Sequence, residues 1–151
     1  MPVLPIVIGE KTPILRKKTV PVKTITKEIK KLLKDMEETV IAAKGAGLAA
    51  PQIGRSERLC IALIGSKLTA LINPIITWKS DTTAIAEEGC LSLPDLWLNI
   101  SRPTDIIVKY ETDGGKKREL KLSGFDARVV QHETDHLDGI LITDHRLHTV
   151  L

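Results

Sequence analysis

Between residues 59 and 124 the chain is a succession of β-prone runs with no helical stretch between them. The apolar runs cover 59–65 (LCIALIG), 68–78 (LTALINPIITW) and 83–94 (TAIAEEGCLSLP). Then 105–112 (DIIVKYET) and 116–124 (KKRELKLSG) flank Asp113-Gly114-Gly115, which reads as a hairpin. Strands that follow one another without crossover helices pair antiparallel, which excludes a doubly wound parallel sheet. Helical spacing brackets this stretch. Over 26–44, Ile29, Leu32, Leu33, Met36, Val40 and Ile41 recur on one face, lysines and glutamates fill the other, and Gly45 offers a stop. Over 125–137 the helical period returns, with Ser123 and Asp126 as a capping pair and Gly139 as the stop. Residues 45–54 are glycine-punctuated and fit neither period. Prolines at 2, 5, 13 and 21 make 1–24 irregular or extended, and 140–144 (ILITD) reads as a short terminal strand.

The expected fold class is therefore α+β: largely antiparallel sheets around a central second helix, with an N-terminal amphipathic helix. With 151 residues, no repeat and no linker-like stretch, residues 1–151 are expected to form one domain. Aromatics are only 3% of the chain, so the core must be built from Ile, Leu and Val, and stacking platforms for single-stranded nucleic acid are not expected. A net charge of +3 is too small to argue for a nucleic-acid groove or a basic membrane patch. No apolar run approaches the length of a membrane span. Two cysteines, Cys60 and Cys90, make no disulfide scaffold, and the N-terminus is apolar early and basic late, the reverse of a secretory signal. These features favour a reducing, cytoplasmic setting; an organellar one follows only if a transit peptide was removed before this numbering.

The sharpest chemical signal is His132-Glu133-Thr134-Asp135-His136. Four residues of helix advance about 400°, so the two imidazoles lie about 40° apart on one face and can converge on one metal ion. Glu133 sits beside them without sharing their ligand geometry. A carboxylate next to metal-bound water is what hydrolysis requires: it takes the proton and later delivers it to a leaving amine. The pattern is short, and a solvated helix face is its bland alternative, but Val129, Val130 and Leu137 turn one face of this helix inward. A catalytic metal needs a third protein ligand. Downstream stand Asp138, Asp144, His145 and His148, none at the extended metallopeptidase spacing, where Ile142 falls instead. His145 and His148 read as surface residues of the tail. Upstream, Cys90 follows Gly89 at the end of a strand-like run, where a glycine allows close backbone approach. A single Cys is otherwise a small buried hydrophobe, the reading that fits Cys60.

Three segments in order, 45–52 (GAGLAAPQ), 88–92 (EGCLS) and 131–136 (QHETDH), resemble the signatures of the peptide deformylase family. Leu15-Arg16, Pro21-Val22, Asn73-Pro74, Arg102-Pro103 and Ala127-Arg128 fit its weaker flanks, so the resemblance spans roughly the whole chain. It implies hydrolytic removal of the N-formyl group from the formyl-methionine of nascent polypeptides, releasing formate. Carried over, it makes Cys90, His132 and His136 the metal ligands and Glu133 the general base, then acid. Gln52 through its side-chain amide and Leu91 through its backbone N–H would hold the formyl oxygen. Gly47 and Gly89 would present backbone to the peptide. Glu88 and Arg102 would form a supporting charge pair, with Asp135 behind the ligands. The implied cofactor is one divalent ion per chain, natively ferrous iron, with zinc, nickel or cobalt able to replace it. The spacing itself says only one thiolate and two imidazoles. The implied partner is a formyl-methionyl peptide or nascent chain, with no direct nucleic-acid binding and no membrane.

Three departures accompany the resemblance. Ala46 stands where the family usually has Ile or Val, which should widen the pocket for the methionine side chain. Trp97 lies in a loop, 94–102, where some relatives carry a basic residue that reaches the substrate; local packing is the alternative. The chain stops at Leu151, so a long C-terminal helix is not expected and ribosome contact should be transient or weak. The rivals are a metallopeptidase cutting internal peptide bonds, a structural Cys-His-His metal site, and a degenerate binding module. The missing downstream ligand, the lack of a fourth ligand and the intact motif residues count against them in turn.

Overall fold

The computed structural model describes residues 2–145. The tail beyond His145, with His148 and the question of a C-terminal helix, lies outside the described residues. The fold is α+β with antiparallel strand pairing throughout both sheets. Helix α1 is a single turn, Pro13–Arg16, placed inside the segment expected to be irregular. Pro13 opens it, where its missing N–H costs nothing. Helix α2 runs Lys27–Ala43 with Thr26 accepting from the Ile29 N–H. It stops one residue before the expected glycine: Lys44 itself takes the left-handed conformation, at φ 54°, and Gly45 N–H returns to the Val40 carbonyl.

Strands β1 (Gly47–Ala49), β2 (Leu59–Ile64), β3 (Lys67–Lys79), β6 (Asp105–Glu111) and β7 (Lys117–Ser123) form one sheet in the order β1-β2-β3-β6-β7. β4 (Thr83–Cys90) and β5 (Leu93–Pro103) pair only with each other among the described residues. Helix α3 is Gly124–Leu137. Alternation explains the layers. In β2, Leu59 and Ile61 face α2 with Ile72 and Met36, while Cys60 and Ala62 face α3 with Leu71, Val130 and Leu137. A strand covered on both faces has no polar positions to alternate, which is why 59–65 is a continuous apolar run. Cys60 is part of that core, as expected for it. A third cluster, Leu15, Leu93, Ile100, Leu141 and Ile142, packs the β4–β5 pair against the N-terminal turn.

Four expectations need correction. Residues 83–94 are not one strand: β4 ends at Cys90, the chain turns at Leu91-Ser92, and the expected 94–102 loop is strand β5, pairing Gly89 with Trp97 and Glu88 with Leu98. Residues 140–144 make no strand; Ile142–His145 is a 3-10 turn because the Asp144 carboxylate accepts the Leu141 N–H. Ser123 occupies the α3 cap position but its side chain makes no capping bond. Residues 45–54, which fit neither period, contain strand β1 and a 3-10 turn, Ala50–Ile53.

Two polar residues fix how these parts meet. The Asn73 amide accepts the Val22 N–H and donates to the Val22 carbonyl, at 2.7 and 2.8 Å, stitching the N-terminal segment to the β3 bulge before Pro74. Arg58, just before β2, donates to the Asp138 carboxylate at 2.8 Å and to the carbonyls of Leu137 and Pro74, closing the C-terminal end of α3. No described helix is long and apolar enough to cross a membrane. Replacing Arg58 with Met should cost about 1.5–3 kcal/mol by denaturant unfolding, the range for hydrogen bonds to charged groups. An unchanged midpoint would contradict the role given to Arg58.

Candidate metal centre

Residues from β4 and α3 converge on one point. The ligand atoms of Cys90, His132 and His136 all lie within 4.8 Å of one another. Cys90 Sγ is 3.3 Å from His136 Nε2, and the two imidazoles meet edge to face with centroids 5.0 Å apart. On α3 the histidines share a face because they are four residues apart. Cys90 reaches them because the β4–β5 register breaks after Gly89: Gly89 pairs with Trp97, but Cys90 pairs with Leu93. A bulge of this kind re-aims the side chain at the end of a strand. Asp95, within the extra residues of β5, takes a positive φ of 64°.

Behind the cluster stands Glu88, 6% exposed. Its carboxylate accepts from Arg102 Nε and Nη2 at 2.6 and 3.0 Å and from Arg128 Nη1 at 2.6 Å, and lies 2.9 Å from His132 Nδ1. Burial alone would raise its pKa, but the His132 and Arg102 hydrogen bonds and the Arg102 charge hold it well below the usual carboxylate range. An ionised Glu88 can only accept, so His132 donates to it from Nδ1, which leaves Nε2 as the ring nitrogen a cation would take in place of a proton. Arg102 Nη1 also binds Asp135 at 2.9 Å.

The donor set suits a cation. Burial opposes charge on His132, yet Glu133, Cys90 and Glu88 raise its pKa to about 10, so the cluster attracts positive charge. Burial and the neighbouring His132 push His136 well below its ordinary value, leaving it neutral. A half-buried thiol and two imidazoles at this spacing, one fixed by a carboxylate on its far nitrogen, match a metal site.

Glu133 is 4% exposed, and its Oε1 has no hydrogen-bond partner among the described residues. Burial, opposed by His132 and Arg102, raises its pKa to about 7. Its carboxyl group lies on the backbone of Gly47: a Cβ there would come within 2.5 Å of Oε2. Gln52 is fixed by accepting the Ala49 N–H at 2.9 Å; its amide donates to Ser92 Oγ at 3.1 Å and lies 3.7 Å from Cys90 Sγ. A cavity of about 520 Å³ opens over these groups, lined by Ala46, Gly47, Gly89 and Leu91 among others. Trp97, 64% exposed, also lines it and lies flat enough on Gly89 that a Cβ would meet its ring at 2.7 Å.

Of the residues carried over from the resemblance, those from Ala46 to Gln52, Glu88 to Leu91, Trp97, His132 and Glu133 thus line this cavity, His136 completes the cluster, and Arg102 and Asp135 stand behind it. Sequence reasoning gave no role to three others. Arg128 binds Glu88 and was legible as the residue one helical turn before His132. Ser92, two residues after Cys90, orients Gln52. His145, expected at the surface, has its Nε2 2.8 Å from the Asp135 carboxylate, and no spacing rule signals that contact.

Comparison with known proteins supplies the family. The family described as Polypeptide deformylase matches residues 3–149. The chain belongs to this family. Its members are enzymes that remove N-formyl groups from nascent polypeptides. The chain is 45% identical to the peptide deformylase of Thermotoga maritima over 132 residues, 87% of this chain and 80% of that one. The crystal structure of the Thermotoga maritima enzyme superimposes with a TM-score of 0.94 at 40% identity, covering 98% of this chain and all of that one. A class I type b peptide deformylase from Acinetobacter baumannii, with Met-Ala-Ser bound, gives 0.91 at 33% identity over 95% of this chain and 98% of that one.

The two thiols should separate chemically. Cys60 is fully buried, and burial raises its pKa well above the ordinary value. In metal-free protein iodoacetamide should alkylate Cys90 and spare Cys60, as read by peptide mass spectrometry. Equal labelling would contradict this packing.

Proposed function

We propose that this site hydrolyses the N-formyl amide of formyl-methionyl peptides, releasing formate and a free amine, with Glu133 as general base and then acid. The observation that carries the reading is the Glu133 carboxyl: buried, held on Gly47, without a partner on Oε1, and beside the Cys90–His132–His136 cluster. A pKa raised to about 7 suits a group that must take a proton and return it near neutrality.

Cys90, His132 and His136 would hold one divalent cation, ferrous iron natively, with zinc, nickel or cobalt as substitutes. Bound there, the ion supplies Lewis acidity toward the formyl oxygen and the attacking water. The chain's own residues do the rest. Glu133 takes the proton of the water that attacks the formyl carbon and delivers it to the amine as the C–N bond breaks. The Gln52 amide and the Leu91 N–H donate to the formyl oxygen as it gains charge, each on the order of 3 kcal/mol of transition-state stabilisation.

β1 is an edge strand of the five-stranded sheet, and β4 has a free edge beyond its pairing with β5. Gly47 and Gly89 would present backbone on these edges to an extended peptide. The Met-Ala-Ser bound by the Acinetobacter baumannii relative supports a short methionyl peptide as occupant. Ala46, lining the cavity, leaves more room for the first side chain than a branched residue would. Trp97 packs on Gly89 and would contact the residues that follow. We place the enzyme in a reducing cytoplasm, where a thiolate ligand survives and nascent chains are present.

Formate release from formyl-Met-Ala-Ser by iron-, nickel- and zinc-loaded protein tests the reading; a chelator should stop it. Folded, metal-bound protein that releases none would overturn it. Glu133→Ala should keep its metal and lose turnover by about 10²–10⁴-fold; full activity would remove Glu133 from the mechanism. In Gly47→Ala the new methyl group must displace the Glu133 carboxyl, so kcat should drop about 10²-fold, the scale of an ångström's misplacement, with metal content unchanged. Ala46→Ile should sharpen the preference for Met over larger apolar side chains, and equal preference in both proteins would refute the wider pocket.

A further inference from the structure

A line of polar contacts runs from the last described turn to the metal cluster. His145 Nε2 lies 2.8 Å from Asp135 Oδ2, and the same oxygen accepts from Arg102 Nη1 at 2.9 Å. Arg102 turns its other two donors, Nε and Nη2, onto the two oxygens of Glu88. Glu88 Oε1 in turn lies 2.9 Å from His132 Nδ1. We propose that His145 is a positioning residue for His132, acting through Asp135, Arg102 and Glu88. The proposal rests on the metal-centre reading above.

The geometry at each link limits the next. A guanidinium is planar, so three contacts in one plane fix its orientation. Two come from Glu88, and the third needs the Asp135 carboxylate turned toward Arg102. Asp135 is partly open to water, and its carboxylate can rotate. His145 on its other side holds Oδ2 at the crossing of the two donors. An ionised Asp135 only accepts, so His145 donates from Nε2 whether its ring is neutral or charged. The imidazole is itself anchored. Leu141 and Ile142, just before it, are buried against Leu15 and Ile100. Asp144 binds Arg16 at 2.6 Å and the Leu141 N–H at 2.9 Å. This turn is thus held by both apolar and charged contacts, and Arg102 links it to a buried carboxylate beside the His132 ring.

The alternative is a structural staple that merely holds the turn on α3. Full-length protein loaded with Co²⁺ distinguishes the two through its visible bands and its affinity in chelator competition, neither of which needs substrate. Outer-shell losses usually cost 10–100-fold in metal affinity, and this contact acts through three others, so His145→Ala should weaken Co²⁺ binding about threefold to tenfold and shift the bands. His145→Gln, whose amide can donate from the same place, should restore both. Melting of the metal-free variants should differ little from the parent. Parent-like affinity and bands in His145→Ala would overturn the proposal. So would equal weakening in both variants together with an equal loss of melting temperature, the mark of a staple. A parent protein that binds no Co²⁺ would overturn it along with the metal centre. Protein that binds Co²⁺ through sulfur but releases no formate would sink the deformylase reading alone, since the His145 comparison is read without turnover.

Discussion

Burying the Glu88 carboxylate costs several kcal/mol unless donors surround it, and removing one partner of such a pair leaves an uncompensated charge. Four hydrogen-bonding contacts meet it, from both sides of an interface: Arg102 on β5 and Arg128 and His132 on α3. The β4–β5 pair shares no strand pairing with the main sheet among the described residues. Its attachment to α3 therefore depends on this polar knot and on the Arg128 and Gln131 bonds to the carbonyls of Ala84, Ile100 and Pro103, while the apolar cluster around Ile100 and Leu141 packs it on the N-terminal turn. Cys90 is two residues beyond Glu88 on the same strand. The interaction that docks the hairpin therefore also delivers the thiol to the two histidines, and holds the ring of one of them. Stability and the geometry of the Cys90–His132–His136 cluster rest on the same carboxylate.

The main sheet supplies the other half of the site. β1 is short and lies at the sheet edge, covered on one face by α2 and on the other by α3. Its first residue, Gly47, leaves the space into which the Glu133 carboxyl fits. A glycine that looks from sequence like a point of substrate approach thus has a second demand on it from inside the protein.

Much of this was legible from periodicity. The α2 face of Ile29, Leu32, Leu33, Met36 and Val40 lies buried where the helical spacing put it, but Ile41, read on the same face, is exposed near the end of the helix. The hairpin at Asp113-Gly114-Gly115 pairs as its turn residues required, Glu111 with Lys117. Strand β5 was not legible. Its inward positions, Leu98, Ile100 and Arg102, do alternate, but the last is charged, and it reads as surface until Glu88 is known to face it. The three residues that bulge out before Trp97, and prolines at both ends, hide the period further. The terminal turn failed for a different reason: ILITD has strand propensity, and only the tertiary contacts of Asp144 and Leu141 select a turn. His145 was read as surface because its partner, ten residues back, follows no local rule.

The reactivity assigned to Glu133 comes from where it lies on α3. Val129, Glu133 and Leu137 are spaced by four residues and Val130 by three, so the carboxyl sits on the apolar stripe of the helix. Arg128, His132 and Asp135 are likewise spaced by four and three, on the stripe that faces Glu88 and Arg102. His136 lies between the two. The HExxH spacing does more than pair two ligands: it places the acid one position over, on the side where the core removes water. Desolvation there raises the pKa to about 7, whereas Glu88, also buried but bound by His132 and the Arg102 guanidinium, stays ionised. Two carboxyl groups near one cluster are thereby driven to opposite ends of the titration range. One is a fixed anion that orients the His132 ring; the other can exchange a proton near neutrality, as the proposed base must. Helical period and the choice of neighbour are sufficient to separate their roles.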